Sequence, residues 1–281
     1  MSTLSRDPAP KTRTLLHSNP VLSRLSKITE RSETDSATYA GIARKTLYFL
    51  AITLVGMIAQ LLVSAAFAGE PVWQTIDVYE KFTVSLNMKE TVVLGVVTLA
   101  GFLFEMVGIF ASKTIPVTGT LYSASQGYFI SFLVFKVLKG YEYLGLEALL
   151  LTVAVVAVMS FVYSSGLIRG GKKYRVVMFS LMLGTVVVAL LTFIGTLIPA
   201  TRPYAMAIVQ NPLISIGMDV VGLLISSLFL ISDFSMIDDC VKLYYPKEYE
   251  WSAAFGLVFT VIWIYLKILD LLMQFAGKKK D

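Results

Sequence analysis

Between Lys45 and Phe275 the chain falls seven times into an apolar run of about 20 residues, the length at which a helix crosses a ~30 Å hydrocarbon core. The runs lie at 45–68, 90–112, 118–137, 144–168, 176–198, 213–237 and 251–275. Inside lipid every backbone N–H and C=O must be satisfied by the protein itself, which leaves helices or a closed barrel. The alternating segments of a barrel are absent. With 56% hydrophobic residues, 15% charged residues and a mean hydropathy of +0.72, a soluble packing of these runs is excluded. The chain therefore reads as an all-α membrane protein of seven transmembrane helices over 45–276, with a tail at 1–44 and a basic end at 277–281.

Charge sets the expected orientation. No apolar stretch of signal length precedes residue 45, which keeps the tail cytoplasmic. The tail through Lys45 carries eight Lys/Arg, and "RGGKKYR", between the fourth and fifth runs, carries four in seven residues. The loop "GEPVWQTIDVYEKFTVSLNMK" has only Lys81 and Lys89 against three acids. The positive-inside rule then places the N-terminus in the cytoplasm. The terminal "GKKK" dissents: it falls outside if the last segment crosses fully, and inside if that segment is re-entrant. Both remain open. Within the tail, Ser18 or Asn19 can cap a helix opened by Pro20. Over 20–31 this helix has Val21, Leu22, Leu25 and Ile28 on one face and Arg24, Lys27 and Arg31 on the other, the pattern of a helix lying on an anionic membrane surface. Its flanks read as disordered.

Cys240 is the single cysteine and His17 the single histidine, so no disulfide and no zinc cluster can be drawn from this sequence. "RGGKKYR" lacks the strand and spacing of a phosphate loop. Nothing points to a cofactor, a nucleic-acid partner or a catalytic constellation, and the chain does not read as an enzyme.

Chemistry is concentrated in a few ionisable residues inside the spans, where charge is costly and marks a pathway or a pairing. Ser215, Asp219, Gly222, Ser226 and Asp233 fall on one line of the sixth span. Thr98, Gly101, Glu105, Gly108 and Ser112 form a second such stripe, and Ala253, Gly256, Thr260 and Lys267 a third. Small residues allow close approach, so these faces should turn inward. Counted from the span centres, Glu105 and Thr260 lie about 5 Å and Asp233 about 12 Å to the cytoplasmic side. Asp219, Lys267 and Asp270 lie about 6 to 10 Å to the other side. The outer layer reads as a structural ion pair in which Lys267 neutralises Asp219 or Asp270. The inner layer has acids and no cation, although a carboxylate at the depth of Asp233 can also simply reach the interface.

The third-span run "IPVTGTLYSASQGYFISFL", the sixth-span ending "LFLISDF" and the last segment "EWSAAFGLVFTVIWIYLKILDLL" resemble the Bax inhibitor-1 family, also called the transmembrane Bax inhibitor motif family, and within it a bacterial branch with a long N-terminal tail. The resemblance covers residues 19–274. It implies a last helix surrounded by the other six, a site in the bacterial cell membrane, and a pH-sensitive calcium leak. It also implies a latch made by two aspartates that share a proton, one late in the sixth helix and one in the seventh. Asp233 matches the first aspartate; Thr260 stands where the second would be. Two close carboxylates share a proton, whereas a Thr hydroxyl can only donate to one. Either the latch is lost or another acid completes it, with Glu105 as the candidate. Gln126, in "SASQGYF", likewise replaces an acid found in many relatives. A weak calcium site at Asp233 follows from so few carboxylates. The alternative carried by the resemblance is a non-conducting regulator of a membrane-bound protease. A retinal protein fits poorly, since Trp263 stands where a carboxylate would be needed four residues before Lys267.

Overall fold

The computed structural model describes residues 36–78, 82–168, 171–209 and 211–277. The amphipathic segment at 20–31 and the last four residues lie outside them. In chain order the elements are α1 (Tyr39–Ala66), a hairpin of β1 (Val72–Val78) and β2 (Phe82–Asn87), α2 (Met88–Phe110), a 3-10 turn (Ser112–Thr114) and α3 (Ile115–Phe132), which a π turn (Leu133–Val137) extends. There follow α4 (Tyr143–Ser164), α5 (Lys172–Leu197), the short α6 (Arg202–Val209), α7 (Pro212–Lys242) and α8 (Tyr249–Gly277).

Six of these helices, α1, α2, α4, α5, α7 and α8, are long and apolar enough to cross a membrane. The third of the seven expected runs is a helix of 18 residues that the π turn lengthens by five, but it lies outside that group, because Thr, Ser and Gln residues dilute its apolar content. It is sheltered instead: eleven of the 18 residues of α3 are buried. Long helices alternate in direction between a tail end, where Ala37 and Thr38 meet Tyr245 and Glu250, and a hairpin end, where the strands and Gln274 lie. The last segment is one unbroken helix of 29 residues, roughly 43 Å long, which is more than a crossing needs and leaves no break for re-entry.

Local chemistry sets the boundaries. Thr38 caps α1 by accepting the Gly41 N–H at 2.9 Å, so that helix starts six residues before Lys45, inside what the sequence assigned to the tail. Asn87 accepts the Glu90 N–H at 2.7 Å and opens α2. Asn211 accepts from Leu213 and Ile214, and Pro212 takes the first position of α7. At its other end α7 runs on to Lys242, beyond the apolar run, because Asp238 and Lys242 pair one turn apart at 2.5 Å.

α8 is the most buried of the apolar helices and packs against α1, α3, α4 and α7; α2 covers α3, and α5 covers α7. α1 and α3 cross at backbone contact. A Cβ on Gly56 would collide with the Ala124 carbonyl, and one on Gly127 with the carbonyl of Thr53. The hairpin departs from an all-helical layout but lies between spans. Its register sets Ile76 opposite Val84 and Val78 opposite Phe82. Phe82, Val84 and Leu86 turn into the hairpin end of the bundle, where the Phe82 ring meets Tyr141 edge-on at 5.4 Å, while β1 stays exposed.

Candidate functional site

Four carboxylates are buried among the described residues: Glu90, Asp219, Asp233 and Glu250. Each comes from a helix whose opposite face is apolar, and a buried charge without a partner is costly. Three of the four have a lysine. At the hairpin end the Lys136 Nζ stands 2.8 Å from Glu90 Oε2; Asn87 Nδ2 donates to the same oxygen at 3.3 Å, and the Ser64 hydroxyl donates to the other. Gln60 extends this network, donating to Ser64 at 3.0 Å and accepting from Ser131 at 2.9 Å. Lys136 lies in the π turn, whose Leu138 N–H reaches back five residues to Leu133 at 2.9 Å. At the tail end Lys45 pairs with Glu250, which also accepts from the Thr38 N–H at 2.9 Å and the Thr38 hydroxyl at 3.1 Å. Gly41 leaves the room this requires, because a Cβ there would strike the Glu250 carboxylate.

The third pair is Asp219 with Lys267, 2.6 Å apart between α7 and α8, and Gln274 donates to the other Asp219 oxygen. The outer layer expected from the sequence is therefore centred on Asp219; Asp270 lies half-buried on α8, three residues from Lys267. Gln274 was not anticipated, since its distance from Asp219 in sequence hides the contact.

Asp233 differs from all three. It is 6% exposed, faces α8 at Gly256, and has no lysine; its Oδ2 has no hydrogen-bond partner among the described residues. Thr260 is its hydrogen-bonding neighbour. The same hydroxyl lies 3.1 Å from the Gly256 carbonyl. One proton thus serves two acceptors, and when it turns to the carbonyl the carboxylate is left bare. Tyr174 of α5, which donates to the Leu228 carbonyl at 2.5 Å, is within electrostatic reach of Asp233.

Thr260 and Asp233, paired in sequence by the family resemblance, thus stand together. Glu105 does not join them. Its electrostatic neighbour is Tyr122, whose ring meets Phe255 edge-on and Phe259 at a tilt, whereas Asp233 faces Gly256 and Thr260. Those two pairs on α8 are each one residue apart, so their directions differ by about 100°. No interaction links Glu105 to Asp233 among the described residues. At each end the site is bounded by links that the sequence did not reveal: the Glu90 and Glu250 pairs, and Asp238, which accepts from Tyr39 at 2.8 Å and Tyr163 at 2.9 Å. The described residues contain no cluster of three metal-ligating side chains.

The chain matches the family described as Bax inhibitor 1 like over residues 19–277. No curated protein and no solved structure matches it.

Proposed function

Because the chain belongs to the Bax inhibitor 1 like family, we propose that it leaks cations, calcium among them, across a bacterial cell membrane through a gate at Asp233. The observation that carries this reading is the bare carboxylate. Three buried acids are neutralised in place; Asp233 keeps an oxygen without a hydrogen bond among the described residues, beside a hydroxyl that can turn away from it. Calcium prefers six or more oxygen ligands, so one carboxylate with Thr260 and nearby carbonyls holds it weakly, which suits passage and not storage. In this reading α3 is the seventh span, the tail end faces the cytoplasm, and no covalent chemistry is involved. Thr260 in place of a second carboxylate makes the gate a single-acid device, without the shared proton of a dyad.

The test is calcium flux from vesicles containing the purified protein. Flux above empty vesicles, changed in rate and flattened in pH dependence by Asp233→Asn, supports the gate. Wild-type flux equal to that of empty vesicles removes it and leaves the non-conducting regulator of a membrane-bound protease as the reading to pursue.

A further inference from the structure

A cavity of about 440 Å³ opens at the tail end, between the turn that joins α2 to α3 and the start of α8. Ser112, Lys113, Glu248, Trp251 and Ser252 are in its wall. Below it, α2 presents Gly108 and then Glu105, four and seven residues before Ser112 and, being three apart, on one face of the helix. Glu105 is thereby about 10 Å deeper than the cavity wall. The Phe255 ring, one helical turn along α8 from the wall residues Trp251 and Ser252, packs against this face at Gly108. A Cβ on Gly108 would lie 3.3 Å from that ring and 3.4 Å from the Thr118 hydroxyl, and a Cβ on Gly119 would lie 3.0 Å from the ring on its other side. The ring also meets Tyr122 at 5.4 Å and Phe49 at 6.1 Å, both edge-on. Beyond this aromatic cluster Glu105 has Tyr122 as its electrostatic neighbour and no hydrogen bond from a described residue.

We infer that the cavity is an aqueous vestibule for small cations and that Phe255 is an apolar gate closing it off from Glu105, on a route along α2, α3 and α8 separate from the Asp233 gate between α7 and α8. A slot lined by Phe49, Tyr122 and Phe255 excludes water, and a dewetted constriction blocks a hydrated ion without any charge of its own. The two glycines shape the slot that holds the ring. Behind it, the ionisable group is a carboxylate, which selects for positive charge. This inference rests on the leak reading for its purpose, and its geometry can be tested without flux.

The experiment uses the full chain with Cys240→Ala and Glu105→Cys, and a charged, water-soluble methanethiosulfonate reagent. Labelling should be slow with Phe255 in place and faster by roughly tenfold or more with Phe255→Ala, while Phe255→Leu, which keeps most of the plug, stays slow. Phe255→Val replaces the alanine variant if that one does not fold, as judged by thermal melting. Fast labelling with Phe255 intact, or slow labelling in both truncated variants, overturns the gate. In vesicles, with Glu105 and Cys240 restored, the extra calcium leak of Phe255→Ala should be lost with Glu105→Gln and kept with Asp233→Asn. The reverse pattern would merge the two routes and overturn the inference. If no variant leaks, the conducting reading fails while the labelling result still decides the gate.

Discussion

Asp219 and Asp233 lie on one helix, 14 positions and about 21 Å apart, and both are buried against α8. Everything else about them differs. Asp219 has a lysine on one oxygen and an amide on the other. Asp233 has a shared hydroxyl and an oxygen with no hydrogen bond among the described residues. The same helix pair therefore builds a staple in its hairpin half and an unsatisfied site in its tail half. Burial alone does not distinguish structure from function here; partnership does.

The comparison breaks most visibly at the staple. Lys267→Met leaves the Asp219 charge buried with only Gln274, and should cost about 3 kcal/mol, the low end of the range for a broken buried pair, because 30% of the lysine side chain is still exposed. Adding Asp219→Asn should recover part of that loss, and equal melting of all three proteins would show the pair to be solvated. Lys136→Met tests the same rule at the hairpin end, where Glu90 keeps Ser64 and Asn87 as donors and the loss should be smaller, about 2 kcal/mol. Asp233→Asn should leave the melting temperature unchanged or raise it, with an effect within about 1 kcal/mol, because no ion pair is lost; a drop like that of Lys267→Met would make Asp233 a staple too. Thr260→Asp sharpens the contrast: two adjacent carboxylates share a proton, so calcium flux should become a steeper function of pH than in wild type. A flux profile identical to wild type would separate Thr260 from the gate.

Orientation has the smallest effect of all, since it changes no energy. Ser165→Cys at the tail end should be labelled from the cytoplasm and Gly69→Cys at the hairpin end from outside, both in a Cys240→Ala background. Cys240 itself is a poor reporter, being fully buried.

The helices were legible because membrane spans declare themselves by length and apolarity, and the stripes on α2, α7 and α8 were legible because their period is 3.6. Depth on two antiparallel helices brought Asp219 and Asp270 alike within reach of Lys267, and sequence spacing could not choose between them; the structure pairs Lys267 with Asp219. Glu90 and Glu250 were missed for a physical reason: they sit at helix ends, where sequence suggests hydrated charge, yet the adjoining helix or hairpin covers them. The Asn87-x-x-Glu90 spacing was the available signal, since it is how a capping residue meets an acid in the first turn. The alternation of Phe82, Val84 and Leu86 was likewise a readable strand inside what looked like a loop. Glu105 was grouped with Asp233 by depth, but depth says nothing about azimuth, and α8 turns about 100° between the residues they face.

The reciprocal crossing at Gly56 and Gly127 also bears on biogenesis. α3 is the helix least suited to entering lipid unaided, and the ribosome delivers it after α1 and α2. When α3 leaves the translocon, the slot at Gly56 already stands beside it, so its serines and glutamine can exchange the aqueous channel for protein without first meeting hydrocarbon. Synthesis order thus substitutes for hydrophobicity: the first helix acts as the chaperone of the third.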